Sequence, residues 1–216
     1  MEIPVPIMKP PIKIILGVLL ILRILTLNLP KPTYASLFNG FGTKAEENHL
    51  ITKAICYFNI SLYHNPHNPV AYYHLGRLYG QYNNPEKEIM YFTKAFEQGT
   101  MEPDALYKAG LYFIEQKSYT EAIECFERII QRNIHSAEAY FQLGVIAETQ
   151  GLYETALTYY QEAINAQYVH VQARYKLAML SNRLGRRQEA KEQVIRLKRI
   201  NQPELAHQLW LEINGH

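Results

Sequence analysis

The sequence predicts an all-α protein, an α-solenoid of antiparallel helix pairs preceded by an N-terminal hydrophobic targeting or anchor helix. Three observations carry that prediction. The stretches "YYHLGRLYG" (72–80), "LYKAGLYFI" (106–114) and "YFQLGVIAE" (140–148) recur at an interval of thirty-four residues. Within each, apolar residues stand three and four apart, the period of one helix face. Ahead of them lies a strongly apolar run, "IILGVLLILRILTLNL" (14–29), unlike anything that follows.

Composition sets outer bounds. With 216 residues and 48% hydrophobic content, the chain can fill one ordinary core or a modest repeat array. A net charge of +2 by itself points to neither a nucleic acid nor an anionic membrane. The charge is unevenly spread, however. Arg174, Lys176, Arg183, Arg186, Arg187, Lys191, Arg196, Lys198 and Arg199 face only Glu189 and Glu192 in the same stretch. This basic end reads either as a solvated helix face or as an electrostatic patch for an acidic partner or lipid headgroups. Cys56 and Cys125 form no CxxC or Cys/His ligand spacing. They sit two repeats apart, roughly 20 Å if helix layers are about 10 Å apart, beyond the reach of a disulfide. Two unpaired, largely buried thiols are expected.

Residues 1–35 read as an address. The sixteen residues of 14–29 would make a helix of roughly 24 Å, short of a hydrocarbon core of about 30 Å. Arg23 costs about 3 kcal/mol on insertion, but twelve Leu, Ile and Val residues outweigh it. A secretory signal is one reading: Lys9 and Lys13 first, Pro30 and Pro32 ending the helix, then Thr33 and Ala35 as small residues before a cleavage point. An uncleaved membrane anchor is the second, and a disordered or interfacial tail the third. The protein is accordingly expected to be membrane-anchored or exported, and any contact with membrane would run through this segment if it is not removed.

The repeat can be phased residue by residue. Blocks begin at Ala35, Pro69, Pro103, Ala137 and Val171 with no insertion. Position 4 is large (Tyr72, Leu106, Tyr140), position 7 apolar (Leu75, Ala109, Leu143, Leu177) and position 8 small (Gly76, Gly110, Gly144, Ala178). In the second helix, position 20 is small (Ala54, Ala122, Ala156, Ala190), position 24 large (Phe58, Phe92, Phe126, Tyr160, Val194) and position 27 often small (Ser61, Ala95, Ala163). Small residues let two helices approach, and large ones fill the space beside them. One such pair cannot bury both faces, so each stacks on the next. Asn83-Asn84-Pro85, Gly151 and Gly185 mark turns inside the pairs.

Departures define the ends. In "SLFNGFGTKAEE" Gly40 and Gly42 break the expected first helix. A helix is expected instead from Thr43, which has capping-box spacing to Glu46, to about Tyr63. That leaves 36–68 as a degenerate first repeat, followed by full repeats at 69–102, 103–136, 137–170 and 171–202. Glu88 at position 20, and Ile129 and Leu197 at position 27, depart from the small-residue rule. Pro203 opens "PELAHQLWLEIN", read as a capping helix over 203–216 through Leu205, Leu209, Trp210 and Ile213.

This pattern resembles the tetratricopeptide repeat, a helix–turn–helix unit of the same length. The resemblance implies a superhelix whose concave surface is formed by the first helices at positions 2, 5, 9, 12 and 13. It places Tyr73, Tyr107, Phe141 and Tyr175 at position 5, and Arg77, Leu111, Val145 and Met179 at position 9. Arg183 adds a cation at one end. Family members that grip a terminal carboxylate use Lys and Asn at these positions, and those types are absent here. The groove expected is apolar and aromatic, suited to an extended peptide or a short amphipathic helix. Packing filler is the alternative role for the same rings.

No phosphate-binding glycine loop, G-x-S-x-G or HExxH occurs. His64, His67 and His74 cluster around an inter-repeat turn, and no metal or other cofactor is expected. Glu46–Glu47 and Glu86–Glu88 fit exposed helix starts. The function expected is therefore that of a scaffold, not an enzyme, capturing a protein or peptide partner during assembly of a membrane or envelope complex. An accessory subunit that positions substrate for an enzyme is the alternative.

Overall fold

The computed structural model describes residues 31–133 and 135–215. The apolar run 14–29, and with it the choice between signal and anchor, lies outside the described residues. Among the described residues no helix is long and apolar enough to cross a membrane. The same residues hold eleven helices and no strand. They are α1 (Lys31–Glu47), α2 (Ile51–His64), α3 (Pro69–Gln81), α4 (Pro85–Glu97), α5 (Pro103–Glu115), α6 (Tyr119–Arg132), α7 (Ala137–Thr149), α8 (Tyr153–Ala166), α9 (Val171–Arg183), α10 (Arg187–Arg199) and α11 (Pro203–Asn214). Proline stands at the first turn of α3, α4, α5 and α11, where its missing N–H costs nothing.

The chain divides into two compact units, Met1–Thr100 and Met101–His216. In the first, α1/α2 and α3/α4 form hairpins, and α2 packs on α3. Their core gathers Ala45, Ala54, Phe58, Ala71, Leu75, Leu78 and Tyr79. In the second, α5/α6, α7/α8 and α9/α10 pair, and each hairpin packs on the next. Ala206, Leu209 and Ile213 of α11 pack against Ala178, Ala190, Val194 and Leu197. Trp210, expected to join this seam, is 47% exposed.

One backbone feature marks the register independently of side chains. His49, Asn83, Lys117, Gly151 and Gly185 all have positive φ, between 54° and 79°. Each is position 15 of its block. Each donates its N–H to a carbonyl three residues back, as in Gly151 to Glu148 (3.0 Å). The next residue donates five back, as in Leu152 to Ala147 (2.9 Å). This is a Schellman closure, which satisfies the last carbonyls of the first helix before the chain reverses.

That closure corrects the expected first block. The chain forms no single helix from Thr43 to about Tyr63. It forms α1 through Gly40 and Gly42, turns at His49, and forms α2. Thr43 caps nothing, because its hydroxyl donates to the Asn39 carbonyl four residues back within α1 (2.9 Å). Two glycines in a helix interior cost about 2 kcal/mol together. Tertiary packing offsets this: Gly42 is position 8 of block one and faces the Phe58 ring, while Phe38 at position 4 is fully buried. Glu46–Glu47 consequently lie at a helix end and not at a start, whereas Glu86 and Glu88 do occupy the first turn of α4.

Glu88 has its own compensation. A Cβ at Gly80 would meet Glu88 Oε1 at 2.6 Å, so the absent side chain at position 12 makes room for the oversized residue at position 20. Cys56 and Cys125 are both free, as expected, although Cys56 is only half-buried.

Candidate functional site

The residues expected to line a groove fall in both units. In the first, Tyr73 and Arg77 lie on α3, both half-buried. The Arg77 guanidinium stands 5.7 Å above the Tyr73 ring and pairs with Glu46 Oε1 (3.4 Å). The other oxygen of Glu46 meets His74 Nδ1 at 2.7 Å. The His74 ring stacks on Phe58 at 4.7 Å, and one carboxylate at the end of α1 contacts two side chains of α3. His67 instead contacts Gln98 (2.8 Å), and no metal-binding group occurs among the described residues.

In the second unit, Tyr107, Leu111, Phe141, Val145, Tyr175 and Met179 lie on α5, α7 and α9, and each is half-buried. Phe141 and Val145 pack at the edge of the core between the second and third hairpins, and Tyr175 and Met179 at the edge of the terminal one. The Tyr107 hydroxyl donates to Glu138 Oε1 on α7 (2.9 Å) and accepts from Gln142 Nε2 (3.2 Å). The second Glu138 oxygen faces His170 Nε2 at 3.4 Å, and the His170 ring lies 5.2 Å from Phe141. His170 Nδ1 accepts the Ala173 N–H (3.3 Å). Tyr175 donates to Glu212 on α11 (3.1 Å). Burial first, and these carboxylate contacts second, raise both the Tyr107 and Tyr175 hydroxyls above their ordinary pKa.

Arg183 is less free than a groove-end cation should be. Its guanidinium lies 4.6 Å from the Tyr153 ring and reaches Glu148 Oε1 (3.4 Å). Glu148 also accepts from Tyr160 (2.7 Å) and Lys176 (3.4 Å). Sequence reasoning overlooked Glu46, Glu138, Glu148 and Glu212 as partners. A signal existed for two of them. Glu46 with His74, and Glu148 with Lys176, repeat the same spacing of twenty-eight residues, position 12 to position 6 of the next block.

The basic end is not one solvated face. Arg174, at position 4 of its block, is 1% exposed. It donates to the Tyr168 carbonyl (2.6 Å) and to Gln193 Oε1 (3.1 Å), and burial lowers its pKa. Arg186 pairs with Glu154, and Arg196 with Glu192.

Models of the tetratricopeptide repeat match residues 69–98, 107–168 and 141–197. No curated protein matches the chain. Among solved structures, YrrB, described as a TPR protein with an unusual peptide-binding site, is 20% identical over 79% of this chain and 89% of its own, with a TM-score of 0.63. MamA is 22% identical over 76% of this chain and 95% of its own, with a TM-score of 0.58. PilF of Pseudomonas aeruginosa is 14% identical over 86% and 92%, with a TM-score of 0.50. Identities this low establish a shared fold.

Proposed function

The chain belongs to the tetratricopeptide repeat family, and from that premise we propose that it is a protein-interaction scaffold whose second unit captures an apolar peptide or helix on α5, α7 and α9. One observation carries this reading. Tyr107, Phe141 and Tyr175, with Leu111, Val145 and Met179, keep part of their apolar surface open, whereas Leu106, Leu143, Leu177 and Leu180 on the same helices are buried. Three rings about 10 Å apart span roughly 20 Å, the length of about six extended residues.

The carboxylates support it further. Glu138 and Glu212 hold the tyrosine hydroxyls, so the rings are positioned before a guest arrives and little side-chain entropy remains to be lost. Glu148 partly neutralises Arg183, so apolar contact outweighs charge in recognition. Tyr73 and Arg77 offer a smaller version of the same surface in the first unit. The peptide-binding site named for YrrB lends the reading support by analogy.

The apolar run 14–29 supports a membrane or envelope setting as part of this reading. Retention of that segment is favoured by Ala35, whose buried carbonyl accepts from the Ser61 hydroxyl (2.9 Å) and would be lost on cleavage after residue 35. A mature N-terminus at Ser36 would contradict retention.

Capture is tested in the full chain carrying a photoreactive phenylalanine in place of Val145, or of the exposed Thr158 on α8 as control. Discrete crosslinks are expected from Val145 alone, and they should disappear in Tyr107→Ala/Phe141→Ala chains of unchanged helicity. Equal yields from both positions, or yields indifferent to the double substitution, refute the site.

A further inference from the structure

We propose that the exposed face of α10 docks on an anionic lipid surface. Of the nine cationic side chains between Arg174 and Arg199, five are spent inside the fold. Arg174 is buried on neutral acceptors, Lys176 and Arg183 converge on Glu148, Arg186 meets Glu154, and Arg196 meets Glu192. The other four, Arg187, Lys191, Lys198 and Arg199, are exposed and have no acidic partner among the described residues.

These four are not scattered. Arg187, Lys191 and Lys198 are four and seven residues apart, which sets them on one side of a helix, with Arg199 one step around it. Ala190, Val194 and Leu197 face the core directly beside this row, since Val194 is seven residues from Arg187 and four from Lys198. The cations therefore run along the flank of the helix between core and solvent. Between the cations lies Ile195, 52% exposed. An aliphatic side chain flanked by Lys191, Lys198 and Arg199, with the neighbouring Glu192 already paired to Arg196, suits the boundary between headgroups and acyl chains, where the cations stay with phosphate and the methyl groups go deeper.

Charge complementarity alone would also admit a nucleic acid or an acidic protein. The face carries no aromatic ring on which a base could stack. The central isoleucine would gain nothing from a phosphate backbone. On the retention proposed above, on which this inference rests, the apolar run 14–29 brings a bilayer within reach of the chain. A lipid surface is the occupant that uses both the cations and Ile195.

The test uses the full chain incorporated into vesicles of phosphatidylcholine, alone or mixed with phosphatidylglycerol at about three to one, so that only composition distinguishes the samples. Acetylation of each lysine by acetic anhydride is followed by mass spectrometry, with the exposed Lys53 and Lys117 as internal controls. A lysine worth about 1 kcal/mol at such a surface should be protected about five-fold. Lys191 and Lys198 are therefore expected to react about five-fold more slowly in the anionic vesicles, and to recover at high salt. Ile195→Glu, a change at an exposed site, should abolish the protection. Equal acetylation of Lys191 and Lys198 in the two vesicle types overturns the proposal, whether the true occupant is an acidic protein or none. So does protection that survives in Ile195→Glu.

Discussion

The Phe58 ring occupies the space that a side chain at Gly42 would need: a Cβ there would lie 2.7 Å from Phe58 Cε1 and Cζ. Three more blocks repeat this pair, as Gly76 with Phe92, Gly110 with Phe126 and Gly144 with Tyr160, at 2.6 to 2.7 Å. The fifth block substitutes Ala178 and Val194 at the same two positions, adding a methyl on one helix and removing a ring from the other. The approach of paired helices is thus set by two residues sixteen apart, and either can grow only if the other shrinks.

Gly110→Ala should accordingly destabilise the second unit by about 1–3 kcal/mol, because Phe126 has no room to retreat. Phe126→Val alone should also destabilise it by opening a cavity. Combined, the two copy the fifth block, and the double variant should be more stable than the sum of the single losses by about 1 kcal/mol or more. Urea titrations of the four proteins decide this, and simple additivity would disprove the coupling.

Lys117 holds φ at 59°, a left-handed conformation that an L-residue with a long side chain adopts at a cost of roughly 1–2 kcal/mol. Gly151 and Gly185 occupy the equivalent turns without that cost. Lys117→Gly is expected to stabilise the chain by about 1 kcal/mol. The same substitution at Lys108, within α5, is expected to destabilise it by a similar amount. Thermal melts that move in one direction for both would contradict the turn assignment.

Burial, which comes first, and the bond to Glu148 hold the Tyr160 hydroxyl above its ordinary pKa. Burial also pushes the Cys125 thiol up to about 12. In the unfolded chain both groups ionise at lower pH, so the unfolded state sheds protons first as pH rises. Their contribution is intact below about pH 8.5 and declines as pH climbs past the unfolded values, by at most about 1.4 kcal/mol per pH unit per group. Tyr160→Phe should flatten the fall in stability between about pH 9 and 11, although it loses one hydrogen bond at neutral pH. An unchanged slope in urea midpoints across that range would show that Tyr160 titrates alike in both states.

The candidate site was legible to unequal depth. Tyr107, Phe141 and Tyr175 could be placed from their position in the block alone, because a thirty-four-residue phase maps sequence onto helix faces. What holds their hydroxyls could not. Glu138 and Glu212 belong to other helices, and Glu138 reads in isolation as an ordinary acidic residue in a first turn. Arg183 reads as a free cation until Tyr153 and Glu148 are brought beside it. Arg174 counts toward a basic surface until Tyr168 and Gln193 enclose it.

By itself the sequence determined the helical class, the block phase, the turns at Asn83, Gly151 and Gly185, and the small-against-large pairing. These are encoded in side-chain size at a fixed period, and size is read without knowing neighbours. Only the tertiary structure decided that Lys31–Glu47 is one helix, that Arg174 is interior, and which four cations of the basic end remain uncommitted. Each outcome weighs a local cost, such as glycine in a helix or an arginine out of water, against contacts supplied by a different helix. Local composition states only the first half of that comparison.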